Sequence, residues 1–166
     1  YSFNPALISP DTFTGALSRD AGENVGAYDY TLGALSAGSN YTLTLAPATF
    51  EITQRILNVT ATGVNKVYDA NTTATVTLSD DRIFGDDVML GYTATFADKN
   101  VGIGKSVAVS AISITGGADG SNYTLGNTTA ATTANITPAP LTATITADNK
   151  VYDATTAATI TGRTLI

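Results

Sequence analysis

Alternating apolar and polar residues recur along this chain in the pattern of a β-strand with one buried face. Every second residue is apolar from Val88 to Phe96, from Leu57 to Ala61 and from Leu141 to Ala147. Successive side chains of a strand point to opposite faces of a sheet, so a period of two places the apolar residues on one face. The pattern therefore predicts three strands, each with one face in a core.

One segment breaks this phase. In residues 107–114 the larger apolar side chains are Val107 and Val109, and then Ile112 and Ile114. A slip of one residue is typical of a β-bulge, which we place near Ser110 or Ala111. Turns are predicted at Gly85-Asp86-Asp87, Gly116-Gly117 and Asp119-Gly120. The sequence favours no amphipathic helix of normal length and leaves open only a short one at Thr12–Arg19.

Several short strings occur twice, in the same order. The string Asn65–Ala70 returns at Asn149–Ala154, 84 positions later, and Ser39–Leu43 returns at Ser121–Leu125, 82 positions later. Asn24-Val25-Gly26 returns as Asn100-Val101-Gly102 at an offset of 76. The strings keep the same order along the chain, and from the first string to the last the offset grows from 76 to 82 and then to 84. This pattern indicates related modules that differ in loop length.

The repeats divide the chain into three modules: residues 1–54 (module one), 55–139 (module two) and 140–166 (module three). The fold class that we predict is all-β, with small modules stacked end to end. Each module is either sandwich-like or a β-grasp-like sheet with one short helix, and the sequence does not separate these two. The connections are short, and the second contains Pro138 and Pro140. Proline fixes φ, so a stiff joint is expected there.

The repeated strings resemble the YDG and MBG (mostly-β, glycine-rich) modules of very large bacterial surface adhesins. Lys66-Val67-Tyr68-Asp69 is similar to the YDG opening, and the later strings of module two follow in the expected order: Ala97–Gly102, Asn122–Leu125 and Ile136–Pro138. Module one is similar to the MBG relative in its strings Asp11-Thr12, Gly15–Leu17, Glu23–Gly26 and Ser39–Leu43. The resemblance implies stalk-like or adhesive roles and brings no catalytic residues.

One position departs from the resembled family. Residue 70 is Ala where Gly is common, and residues with a Cβ rarely adopt positive φ. We therefore expect the turn after Tyr68-Asp69 to avoid positive φ, with Asp69 capping the following Thr-containing turn.

Composition narrows the function. Cys, His and Trp are absent, which excludes disulfides, thiolate nucleophiles, histidine bases and the usual zinc ligand sets. The sequence therefore predicts a protein that is not an enzyme. A net charge of −6 disfavours nucleic acid as a partner, and the chain has no apolar run of about 18 residues that would insert into a membrane. The resemblance to surface-adhesin modules implies an extracellular segment at the bacterial cell surface.

Two binding alternatives remain open. A short loop is bracketed by four carboxylates, Asp80, Asp81, Asp86 and Asp87. Clustered carboxylates are ligands for Ca²⁺, which is the only cofactor that the sequence suggests. A carbohydrate-binding surface for glycans would need exposed aromatic rings, for which the candidates are Tyr28, Tyr30, Tyr41, Tyr92 and Tyr123.

The ends of the sequence suggest an assembly mechanism with neighbouring copies or modules as partners. Module one lacks a counterpart of Leu57–Thr77. In module three, Leu141 to Thr161 is such a counterpart, with no module after it. Module three of one chain would then complete module one of the next by strand addition. The apolar residues assigned to this contact are Leu141, Ala143, Ile145, Ala147, Val151 and Tyr152. Alternatively, residues 141–166 pack on their own chain or hang free.

Overall fold

The computed structural model describes residues 7–165, which form thirteen β-strands and one 3₁₀ turn, Gly120–Asn122. The all-β prediction is confirmed. The strands are β1 (Ser18–Arg19), β2 (Gly26–Thr31), β3 (Thr49–Ile52), β4 (Arg55–Leu57), β5 (Val59–Val64), β6 (Lys66–Val67), β7 (Thr75–Asp80), β8 (Met89–Phe96), β9 (Gly102–Gly116), β10 (Tyr123–Leu125), β11 (Ala130–Thr137), β12 (Ala143–Ala147) and β13 (Ile160–Leu165).

The short helix considered at Thr12–Arg19 does not form. The backbone of Thr14 instead exchanges two hydrogen bonds of 2.9 Å with Ser36, and Gly15 has a φ of 71°. These long-range hydrogen bonds occupy the groups that a helix would need for its own i to i−4 bonds. The segment then enters β1.

The described chain forms two compact units that do not follow the three sequence modules. The first contains residues 7–60, 78–92 and 111–129, and the second contains residues 61–77, 93–110 and 130–165. Strands β5, β7, β8 and β9 each contribute residues to both units. Module two is therefore divided between the units.

The first unit holds an antiparallel sheet in the order β1-β2-β3 and a parallel pair, β4 with β10. Gly26 at the start of β2 lies opposite Ile52 at the end of β3. In the parallel pair, Leu57 lies opposite Leu125. The buried side chains of this unit include Leu57, Val88 and Ile112.

The second unit is organised around β11, which pairs with β9 antiparallel and with β6 parallel. A register shift lies between Ala134 and Ile136, after which Ile136 pairs with both Gly102 and Lys66. Both β11 residues are buried, as are other apolar residues of the unit, namely Ala74, Val76, Phe96, Val107 and Val109.

The predicted bulge in β9 is confirmed. Val107, Val109 and Ile112 are buried, whereas Ser110 and Ala111 between them are exposed. Ala111 has a φ of 53°, the left-handed conformation that an extra residue in a bulged strand can adopt. The bulge therefore returns the apolar residues to the core after the slip.

Strands β12 and β13 pair with each other as an antiparallel hairpin. They repeat the pairing of β5 with β7 about 84 positions earlier, but their burial differs. Every residue of β12 is exposed. The prediction that one face of this strand is buried is therefore wrong for the described residues 7–165. The physical reason is that, among residues 7–165, no second layer packs against the β12–β13 pair to bury one of its faces.

This difference supplies a matched test of the core. Leu57 is 0% exposed and its counterpart Leu141 is 74% exposed. Leu57→Ala should lower the free energy of unfolding by about 2–5 kcal/mol, the usual cost of removing a buried Leu side chain. Leu141→Ala should change it by less than about 0.5 kcal/mol, as is typical of a surface site. Urea unfolding of both variants measures this, and equal effects would contradict the assigned burial.

Candidate functional site

A pair of asparagines connects module one to module two within the first unit. The backbone N–H of Val25 donates to Oδ1 of Asn122 at 2.9 Å, and Nδ2 of Asn122 donates to Oδ1 of Asn24 at 2.9 Å. Asn24 and Val25 immediately precede β2, while Asn122 ends the 3₁₀ turn before β10. One amide side chain thus satisfies groups on two adjacent residues. We call this contact the asparagine joint.

Gln54 ties the connecting segment to the same turn. Its Nε2 donates to the carbonyl oxygens of Ser121 at 3.0 Å and Tyr123 at 3.2 Å. The next residue begins β4, which pairs in parallel with β10. The backbone at the connection is therefore held on both sides of Asn122.

The joint borders a cleft of about 330 Å³ in the first unit. Its apolar lining comes from Val25, Ile52 and Ile83. Its polar lining consists of Glu23, Asn24, Thr53, Arg55, Asp86, Asp119, Asn122 and Tyr123. This lining offers hydrogen-bonding groups and one guanidinium near three carboxylates, which suits polar contacts at an interface.

Tyr123 fixes the turn that carries Asn122. Its hydroxyl donates to Oδ2 of Asp86 at 2.5 Å and accepts a hydrogen bond from the N–H of Ile83 at 2.9 Å. Burial, together with the hydrogen bond to Asp86, raises the pKa of Tyr123 above its ordinary value of 10.0. The hydroxyl therefore stays protonated and remains a donor to the carboxylate.

The same constellation occurs in module one. The hydroxyl of Tyr41 donates to Oδ2 of Asp11 at 2.9 Å and accepts from the N–H of Ile8 at 3.1 Å. In both modules the Asp lies three residues after the Ile and donates its own N–H to the Ile carbonyl. The sequence interpretation missed this contact, although its signal was present as an Ile-x-x-Asp string before each Ser-Asn-Tyr string.

Asp80 and Asp81, two of the Ca²⁺ candidates, have separate partners. Asp80 accepts from Arg82 Nε at 2.7 Å and Nη2 at 2.6 Å, and these hydrogen bonds hold its pKa below the ordinary 3.8. Asp81 accepts from the backbone N–H and the Nδ2 of Asn58, both at 2.8 Å, which lowers its pKa too.

The other two Ca²⁺ candidates are also engaged elsewhere. Asp86 accepts from Tyr123, and Oδ2 of Asp87 accepts the N–H of Ala118 at 3.0 Å. Within residues 7–165, no group of three or more acidic side chains is arranged to hold a metal ion. The structure therefore does not bring the four carboxylates into one Ca²⁺ site.

The five candidate tyrosines differ in exposure. Tyr123 is buried, and Tyr28 and Tyr41 are half-buried. The ring of Tyr28 is also covered by the guanidinium of Arg19, 4.9 Å from the ring centroid. Tyr30 and Tyr92 are exposed and lie on different strands, β2 and β8. Three of the five rings are therefore covered at least in part.

The repeated Lys-Val-Tyr-Asp-Ala strings form the same turn. Lys66 Nζ donates to Oδ1 of Asp69 at 2.8 Å and to the carbonyl of Asn71 at 2.9 Å. Lys150 Nζ makes the equivalent bonds to Asp153 and Thr155, both at 2.8 Å. The turn therefore forms from local interactions in both modules.

Within this turn one expectation is confirmed and another is wrong. Asp69 Oδ1 accepts the N–H of Asn71 at 3.1 Å, as predicted for a capping residue. Ala70 and Ala154, however, have φ of 65° and 56°. The expectation of negative φ at Ala70 is wrong because the lysine and aspartate hydrogen bonds close the turn around it, against the cost of a left-handed Ala.

The residues assigned to assembly lie just before β12, on β12, and in the connection between β12 and β13. Leu141, Ala143, Ile145, Ala147, Val151 and Tyr152 are all exposed. Tyr68 and Tyr152 hold the same position in the repeated strings, and their turns share the same hydrogen bonds, but the two side chains differ in burial. Tyr68 is half-buried, whereas Tyr152 is 91% exposed.

Comparison with family models accounts for most of the chain. The model of the MBG domain (YGX type) matches residues 2–51, and that of the YDG domain matches residues 53–133. The chain contains an MBG domain followed by a YDG domain. The asparagine joint therefore connects the MBG domain to the YDG domain. No curated protein and no solved structure matches the chain. Among residues 7–165, no helix has the length and apolar character to cross a membrane.

The Arg82–Asp80 ion pair of the YDG domain gives a pH prediction. The pKa of Asp80 in the folded chain lies below its ordinary value of 3.8. The ion pair therefore stabilises the fold at pH values above 3.8. This contribution is lost as the pH falls through the lower pKa of the folded state. Arg82→Gln should raise the Asp80 pKa, observed by NMR titration of the carboxyl carbon. The stability difference from the native chain should shrink in acid. Arg163→Gln, which removes an exposed guanidinium from β13, is the control. An unchanged Asp80 pKa in Arg82→Gln would contradict the assignment.

Proposed function

We propose that this chain is a tension-bearing spacer segment of an extracellular bacterial surface protein, such as the stalk of an adhesin or a surface filament. In this proposal it performs no catalysis, and its partners are neighbouring modules or copies of the same protein. The resemblance to adhesin repeats supports the location, and the domain content supports a repeated structural unit.

The observation that carries the proposal is the parallel pairing of opening with closing strands in the YDG domain. Near its start, β4 pairs in parallel with β10, and β6 pairs in parallel with β11. When a chain is pulled at its two ends, parallel terminal strands slide along each other. All the hydrogen bonds of each ladder then resist together, whereas strands pulled apart sideways lose their bonds one at a time.

The asparagine joint supports the same proposal. It adds side-chain hydrogen bonds between the MBG and YDG domains beyond the short covalent connection. Repeats that contact their neighbours in this way gain stability from each interface in addition to that of each repeat. Tension on the chain would then be carried across the connection by side chains as well as by the peptide backbone.

Single-molecule pulling tests the tension-bearing role. The chain has no Cys, so introduced cysteines give unique attachment points. Attachment at Thr53→Cys and Ala139→Cys loads the YDG domain from its two ends. We expect a high unfolding force, because both parallel ladders must shear. The measurement is the rupture force at a fixed pulling speed.

A second pair of attachment points provides the control. Val67 and Thr137 lie opposite each other across the β6–β11 ladder, and both are exposed. Pulling between Val67→Cys and Thr137→Cys peels this ladder apart, so the first rupture should occur at a clearly lower force. Equal forces in the two directions would contradict the proposal.

We further propose that assembly occurs by strand addition between copies. The counterparts of β4 and β6 are residues 139–141, at the start of module three, and residues 150–151 within it. They pair with no strand among the described residues. Module one contains the counterpart of β10, Tyr41–Leu43, which is likewise unpaired there. The MBG domain of a second copy would bind the exposed hairpin of β12 and β13. Such head-to-tail contacts propagate rather than close.

Removal of residues 141–166 tests strand addition. The full chain should show concentration-dependent association in sedimentation velocity, and the shortened chain should remain monomeric because the apolar hairpin is gone. Ile145→Asp in the full chain is a milder variant that should weaken association while leaving the buried core untouched, since Ile145 is exposed. Association that persists unchanged after the deletion would show that the hairpin is not the donor.

A further inference from the structure

The asparagine joint has a counterpart of its first half in the YDG domain. Asn24-Val25-Gly26 corresponds to Asn100-Val101-Gly102. The correspondence is also structural, because Gly26 pairs with Ile52 and Gly102 pairs with Ile136. Each of these two isoleucines begins an Ile-Thr string, at residues 52–53 and 136–137. Each Asn-Val dipeptide therefore stands at the same place, directly before a strand that begins at the glycine.

The second half of the joint has a counterpart in the MBG domain. Asn40 precedes Tyr41 as Asn122 precedes Tyr123. Both tyrosines make the same hydrogen bonds to an Asp and an Ile N–H, so both turns are held in the same manner. Asn40 is therefore placed for the role that Asn122 plays in the asparagine joint.

Both counterparts are unoccupied by the rest of the described chain. Val101 is 49% exposed and Asn40 is exposed. Neither the N–H of Val101 nor the amide side chain of Asn40 makes a hydrogen bond to any of residues 7–165. The donor and acceptor groups that Val25 and Asn122 satisfy in each other are thus available on these two surfaces.

We propose that Asn100 and Val101 form a docking surface for the Asn40 turn of a second copy of this chain. The N–H of Val101 would donate to Oδ1 of Asn40, and Nδ2 of Asn40 would donate to Oδ1 of Asn100. The contact reproduces the asparagine joint between copies. It deepens the proposed end-to-end assembly, and one arrangement satisfies both, since the Asn40 turn leads directly into Tyr41–Leu43.

Charges near the two surfaces are complementary. At the asparagine joint, Arg55 lines the same cleft as Glu23 and Asp86. In the proposed contact between copies, Lys99 stands where Glu23 stands in the asparagine joint. Asp11 of the second copy stands where Asp86 stands. A lysine would therefore face a carboxylate across the contact, which favours encounter between unlike surfaces.

One feature of the asparagine joint is missing from the proposed contact between copies. Gln54 corresponds to Pro138, which has no amide to donate to the partner turn. In addition, separate copies lose translational and rotational freedom on binding, which the covalently connected domains do not. We therefore expect a weak contact that is best trapped covalently.

Disulfide trapping between two single-cysteine chains tests the docking surface. Val101→Cys keeps the backbone N–H that binds, and Ser39→Cys keeps Asn40. Mixed under mild oxidation, the two chains should form heterodimers well in excess of a control mixture of Ser39→Cys with Phe84→Cys, whose position is fully exposed and outside the surface. Within one chain, Val25→Cys with Ser121→Cys should cross-link and validate the geometry.

Removal of the asparagine sharpens the test. Adding Asn40→Ala to the Ser39→Cys chain removes two neutral hydrogen bonds and should lower heterodimer formation with Val101→Cys roughly tenfold. Heterodimer yield equal to that of the Phe84→Cys control, or unaffected by Asn40→Ala, would overturn the docking surface. Failure of strand addition is distinguished by the chain lacking residues 141–166, which keeps both joint surfaces.

Discussion

The parallel pairing of opening with closing strands is the constraint on which the YDG domain depends. Strands β4 and β6 come from its start, whereas β10 and β11 come from its end. Pairing β4 with β10 places Leu57 in the interior, and pairing β6 with β11 does the same for Ile136. Parallel ladders require distant segments to meet, so each of these two residues becomes buried only when both the opening and the closing strands are present.

The hairpin of module three shows which properties are local. Its Lys150–Asp153 turn and its left-handed Ala154 reproduce the YDG domain turn in detail. Leu141 nevertheless stays exposed where Leu57 is buried, because no closing strand lies beside it among the described residues. Turn conformation follows from a few neighbouring hydrogen bonds, whereas burial depends on the segment that arrives later in the chain.

The same distinction explains how much could be predicted from the sequence. Alternation and its slip predicted β8 and the bulge at Ala111, because both express a local period. Repeated strings predicted related modules for the same reason. The exposure of β12, the positive φ of Ala70 and the bond between Asn24 and Asn122 were not predicted. The first and the last depend on segments that are distant in the chain, and a single sequence carries no direct record of such contacts. The turn at Ala70 is local, and it was missed because a residue with a Cβ ordinarily avoids positive φ.

Tandem similar domains face a problem of partner choice, because strands of one copy can pair with the equivalent strands of another. Strand pairing alone discriminates poorly, since backbone hydrogen bonds are the same for every sequence. An asparagine that must satisfy two specific groups adds a condition, because a misplaced register would leave amide groups without partners. In the proposed assembly, the joint between Asn24, Val25 and Asn122 selects a neighbour by position, and the strands beside it supply the strength of the connection.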